Sequence, residues 1–145
     1  MFKKLFQITA LLSVMLFFNS CGYNRMVALD EEVKSGWAQV ENAYQRRADL
    51  IPNLVNTVKG AANFEQETLT KVIEARSKAT GITIDPSKIT PDAIQKFQEA
   101  QNELSGALSR LLVSVEKYPE LKANQNFLDL QSQLEGTENR ISVAR

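Results

Sequence analysis

Histidine is absent from these 145 residues, and cysteine occurs once, at Cys21. Without histidine the commonest general base and the commonest transition-metal ligand are missing, and neither a Ser-His-Asp nor a Cys-His nucleophilic set can be assembled. A lone cysteine excludes an intrachain disulfide and a thiolate metal cluster. The six glycines stand singly, which excludes a glycine-rich loop that cradles phosphate. Charge of one sign is not in excess, since 17 Lys and Arg stand against 17 Asp and Glu, and no nucleic-acid partner is expected. With four prolines and abundant Leu, Ala, Glu, Gln and Lys, the composition favours helix, at a length that suits one domain.

The N-terminus has the layout of a secretory signal peptide. Lys3 and Lys4 form a basic region, the 14 residues from Leu5 to Phe18 are mostly apolar, and small Ser20 precedes Cys21. That run is shorter than the roughly 20 residues needed to span a bilayer as a helix. A small residue followed by cysteine has the form of a bacterial lipobox, in which lipid joins the Cys21 thiol and cleavage makes Cys21 the new N-terminus; Phe18 and Asn19 depart from the strict pattern. Two anchors stay open, acyl chains on Cys21 or a short single-pass segment. Membrane lipid is the expected partner of this end. The expected organisation is a targeting segment over 1–20 and a helical domain over 24–145, on the exported side of a bacterial envelope.

Four helical segments follow. From Arg25 to Lys59, apolar residues fall at Met26, Val33, Trp37, Val40, Tyr44, Ile51, Leu54 and Val58, in steps of three and four with a gap at Arg47. Pro52 removes the backbone N–H that would bond the Ala48 carbonyl. Either the helix kinks there, or Asp49 caps a new helix with Pro52 in its first turn. Asn63 and Gln66 make a capping-box-like pair before a second segment with Leu69, Val72, Ile73 and Ala79 on its apolar face, ended by Gly81. Ile82, Ile84 and Ile89, around the Asp85–Pro86 turn, are expected to tuck against the domain's end. Thr90–Pro91–Asp92 is a helix start, and Ile94, Phe97, Leu104, Leu108, Leu111 and Val115 repeat behind it until Tyr118–Pro119. Phe127, Leu130, Leu134, Ile141 and Ala144 mark a fourth segment that reaches Arg145 without a stop signal, so an incomplete last helix is expected. Short connections favour antiparallel neighbours. The expected fold is all-α, an antiparallel up-and-down four-helix bundle.

Three stretches, QRRADLIPNLVNTVKG (45–60), KVIEARSKAT (71–80) and YPELKANQNFLDLQSQLEGTENRISVAR (118–145), resemble the LemA family. The resemblance implies a bacterial, membrane-tethered helical bundle of unsettled biochemical role, commonly attached by one N-terminal hydrophobic segment. Where the family often has an aromatic residue and a His-Glu pair after the glycine matching Gly60, this chain reads AANFE, so any role of that histidine is absent. The resemblance also implies a further helical segment beyond Arg145.

The candidate site is a polar layer within the apolar seams. Arg47 interrupts the first stripe, Arg76 continues the Leu69–Ile73 face, and Gln101 sits between Phe97 and Leu104. Counting from the helix ends at about 1.5 Å per residue brings Glu103, Glu135 and Glu138 to a similar depth. Arg47 and Arg76 are expected to pair with Glu135 or Glu138, with Gln101 nearby, as a register-fixing network or a ligand site. The carboxylate pairs Glu99/Glu103 and Glu135/Glu138 read first as solvated faces and second as a Mg²⁺ or Ca²⁺ site; no metal or cofactor is expected. Trp37 and Tyr44 read first as core and second as a partner-binding stripe. The expected function is non-enzymatic binding of a protein partner at the envelope. The alternatives are self-assembly into a homo-oligomer and a carboxylate-dependent enzyme.

Overall fold

The structure, a computed structural model, describes residues 2–4, 20–61 and 64–144. The apolar run 5–18 and Asn63 lie outside the described residues, and of Cys21 only the helical backbone is described. The described residues are helical with no strand: α1 (Ser20–Lys59), α2 (Gln66–Gly81), α3 (Pro91–Val115), α4 (Pro119–Lys122) and α5 (Gln125–Ala144). The chain divides into two units, Met1–Trp37 and Ala38–Arg145.

In the first unit, α1 leaves the apolar side chains of Tyr23, Met26, Val27, Leu29 and Val33 exposed. Met26 and Val33 continue the helical stripe of the sequence, but that stripe is not buried here. Among the described residues no helix is long and apolar enough to cross a membrane.

The second unit holds the core. The stripe of α1 buries Tyr44, Ile51, Leu54 and Val58, while Leu69, Val72, Ala75 and Ala79 face inward from α2. Leu104, Leu108, Leu111 and Val115 of α3 join Phe127 and Leu134 of α5, and Leu121 closes one end. At about 25 cal/mol per Å² of apolar surface removed from water, side chains of this size contribute roughly 1.5–3 kcal/mol each, against the entropy of ordering them. Ile73 differs from the expectation: it is 45% exposed, because one residue beyond buried Val72 turns the side chain about 100° around the helix.

Pro52 lies inside α1, which runs unbroken through it. No second helix is capped at Asp49; its carboxylate instead accepts from Gln45 Nε2 at 2.9 Å. The Thr90 hydroxyl caps α3 by accepting from the Ala93 N–H at 3.2 Å, with Pro91 in the first turn. Asn124 does the same for α5, its Oδ1 accepting from the Phe127 N–H. Helix α2 begins without a side-chain cap, after Glu65. Ile84 is buried, and Ile82 and Ile89 are half-buried.

Several contacts fix the pairing of helices. Glu65 meets Lys117 at 3.0 Å, and Lys78 meets Glu103 at 2.8 Å. The Phe64 and Tyr118 rings lie 4.9 Å apart beside the first of these pairs.

Candidate functional site

Arg47 occupies a position of α1 where its stripe otherwise places apolar side chains, and only 2% of it is exposed. Burial of a guanidinium costs several kcal/mol unless acceptors surround it. Here Nη1 donates to Glu138 Oε2 at 2.8 Å and to Ser105 Oγ at 2.7 Å. Nη2 donates to Gln101 Oε1 at 2.6 Å and to the Gln101 carbonyl at 3.2 Å. The Arg47 Nε is buried without a hydrogen-bond partner. The guanidinium carbon lies 5.1 Å from the centre of the Tyr44 ring, a cation–π distance. Gln101 is itself buried, and its amide nitrogen reaches towards the Ala79 carbonyl at 3.5 Å. One cation thereby joins α1, α3 and α5, and its glutamine touches α2.

Arg76 does not enter this network. Its Nε donates to the backbone carbonyl of Ala48 at 2.7 Å. The expectation of an Arg76–Glu135 or Arg76–Glu138 pair is therefore corrected, and the reason is Pro52. The Ala48 carbonyl is the one left unbonded when residue 52 has no N–H. A buried carbonyl without a donor is costly, and Arg76 supplies one. Glu135 is exposed and accepts from Gln131 Nε2 at 3.0 Å. Glu103 pairs with Lys78, and Glu99 accepts from Gln95.

Tyr44 is 5% exposed, and its ring meets Phe97 edge-on at 5.0 Å and 82°. Tyr44 therefore takes the first of its two expected readings, a core side chain, while Trp37, in the other unit, is half-buried. Among the described residues no three His, Cys, Asp or Glu side chains gather to hold a metal ion.

Beside Arg47 a cleft of about 190 Å³ opens between α3 and α5. Leu108, Leu112 and Leu134 form its apolar walls. Arg47, Ser105 and Glu138 line it too, with Ser109, Gln131 and Glu135 completing the lining. Glu138 is shared between both features: 56% of its side chain is exposed although its carboxylate holds the buried guanidinium. Ser105 was not singled out by sequence reasoning, since a lone serine in a helix carries no signal. Its spacing of four from Gln101, on the same face of α3, is the one available clue.

Such an arrangement defines an all-helical domain with a buried cation beside an interhelical cleft. The LemA family model matches residues 36–145, and the chain belongs to the LemA family. Protein LemA of Metamycoplasma hominis is 26% identical over 118 residues, which cover 81% of this chain and 50% of that protein. The chain thus spans about half the length of this curated relative.

Proposed function

We propose that this chain is a non-enzymatic, membrane-anchored member of its family that binds a protein partner through the Arg47 cleft. The carrying observation is the cleft itself: three leucines beside a hydrogen-bonded cation, in a space of about 190 Å³. That is below the roughly 300–1,000 Å³ of small-molecule pockets, and it suits one apolar anchor side chain of a partner protein. Exposed Glu135 and half-exposed Glu138 at the same cleft favour a basic or donor group beside that anchor. Attachment to the membrane, through lipid on Cys21 or through the 5–18 segment, and placement on the exported side rest on the N-terminal layout.

The proposed architecture is an antiparallel up-and-down bundle of α1, α2, α3 and α5. The contacts Glu65–Lys117 and Lys78–Glu103 support opposed directions for α2 and α3, since rising numbers on one meet falling numbers on the other. A photo-crosslinking side chain at Gln131, used in native membranes, tests the reading. One recurrent partner protein is expected; crosslinks only to copies of the chain favour self-assembly, and no crosslink contradicts the cleft reading. The N-terminal peptide from the same sample distinguishes the anchors: a lipid-bearing Cys21 start supports the lipoprotein, and an intact Met1 supports the single-pass segment.

A further inference from the structure

A second groove, sharing no residue with the Arg47 cleft, lies between α1 and α5 and has a volume of about 540 Å³. On α1 its lining residues Gln39, Asn42 and Arg46 follow the spacing of one helical face. Across from them stand Asn139 and Arg140 of α5. Two guanidiniums and three amides therefore face one space, and among the described residues no carboxylate lines it.

Among the described residues, neither arginine is neutralised by an acid. The ion pairs of the described residues leave out both Arg46 and Arg140. Asp49, one turn from Arg46, accepts from Gln45, and Glu138 is held by Arg47. The helical neighbours of Arg140 at three and four residues are Gly136, Thr137, Val143 and Ala144, none of them charged. Two like charges brought to one groove repel, and a bound anion relieves the repulsion. Arginine forks donate in pairs to planar or tetrahedral oxyanions, and amides add donors without adding charge.

We propose that this groove binds a phosphomonoester. A phosphomonoester matches the pair in charge, with about −1.5 to −2 at neutral pH, and its three terminal oxygens accept more bonds than a carboxylate's two. The volume of about 540 Å³ leaves space for the group that carries the phosphate. The site is independent of the partner-binding reading. Its phosphate could be borne by a soluble ester or by a lipid headgroup.

The test uses the full chain in phosphatidylcholine nanodiscs, reading the arginine Nε–H signals by ¹H–¹⁵N NMR. One arm titrates glycerol 3-phosphate, with potassium chloride at matched ionic strength as control. The other places phosphatidate in the disc. Shifts confined to Arg46 and Arg140 in the first arm identify a soluble ester; shifts only in the second identify a lipid headgroup; either supports the site. Arg140→Gln weakens binding by roughly tenfold, and Arg140→Lys, which keeps the charge but loses the fork, falls between. Both positions are exposed, so melting stays unchanged in the variants. No shift in either arm, equal shifts at Arg25 and Arg110, or unchanged affinity in Arg140→Gln overturns the proposal.

Discussion

Arg76 Nε donates to the carbonyl oxygen of Ala48 at 2.7 Å, across from one helix to the next. The bond is tied to a third residue, Pro52, four positions on, whose ring nitrogen has no hydrogen to offer that carbonyl. A side chain on α2 thus completes the backbone of α1 and fixes the two helices against each other.

Arg76→Leu is accordingly expected to lower stability by about 1.5–3 kcal/mol, the range for a hydrogen bond to a charged donor. In a Pro52→Ala background the backbone supplies its own N–H, and the same substitution costs less than about 1 kcal/mol. Urea denaturation of the four proteins measures the coupling. Strict additivity would show that Arg76 does not replace the missing donor.

The Arg47 network predicts an asymmetry between its two charged members. Arg47→Ala removes a side chain that is 2% exposed and leaves Gln101 and Ser105 without their donor; a loss of about 3–5 kcal/mol follows. Glu138→Gln keeps an acceptor within reach of Nη1, and Glu138 is already 56% exposed, so the loss is about 1 kcal/mol. Equal losses in chemical denaturation would mean that the pair, and not the whole acceptor set, holds the guanidinium.

Arg47 and Gln101 were legible because each breaks an otherwise regular apolar stripe. A polar side chain at a core position must find partners, so the sequence marks it. Glu138 was reachable by counting depth from the helix ends. Depth gives the level of a residue but not its direction around the helix, so Arg76 shares the level of the Arg47 network in the sequence and bonds elsewhere in the structure. Pro52 marks a missing donor in the sequence, but nothing in the chain says which side chain replaces it. Thr90–Pro91 marked the start of α3 because capping is local chemistry. The four residues of α4 are too few to show a period. Arg46 and Arg140 look like ordinary surface charges until the packing of α1 and α5 brings them together.

The core makes a simple contrast. Leu104 is fully buried, and Leu104→Ala is expected to cost about 2–5 kcal/mol through lost contacts and the cavity left behind. Ile73→Ala, at a position 45% exposed, stays within about 0.5 kcal/mol. Thermal unfolding of the two variants checks the inward face of each helix.

Glu65 carries a pH dependence. The hydrogen bond and charge of Lys117 hold its carboxyl below the ordinary value of 4.5, with help from the Thr68 and Ser114 hydroxyls. A carboxyl depressed in the folded state contributes stability that is present above the ordinary value and is lost as pH falls through the lower, folded one. At neutral pH the wild type is therefore more stable than Glu65→Gln, and the gap closes under acid. A gap that widened below pH 4.5 would reverse the sign of the interaction.

The cleft is tested most directly by the Gln131 photo-crosslink, read with and without Ser109→Arg. Ser109 is exposed and lines the same cleft, so the longer side chain fills the space without disturbing the core. With the cleft filled, the partner crosslink is expected to disappear while the melting temperature holds. A crosslink of undiminished yield from the filled cleft would contradict it.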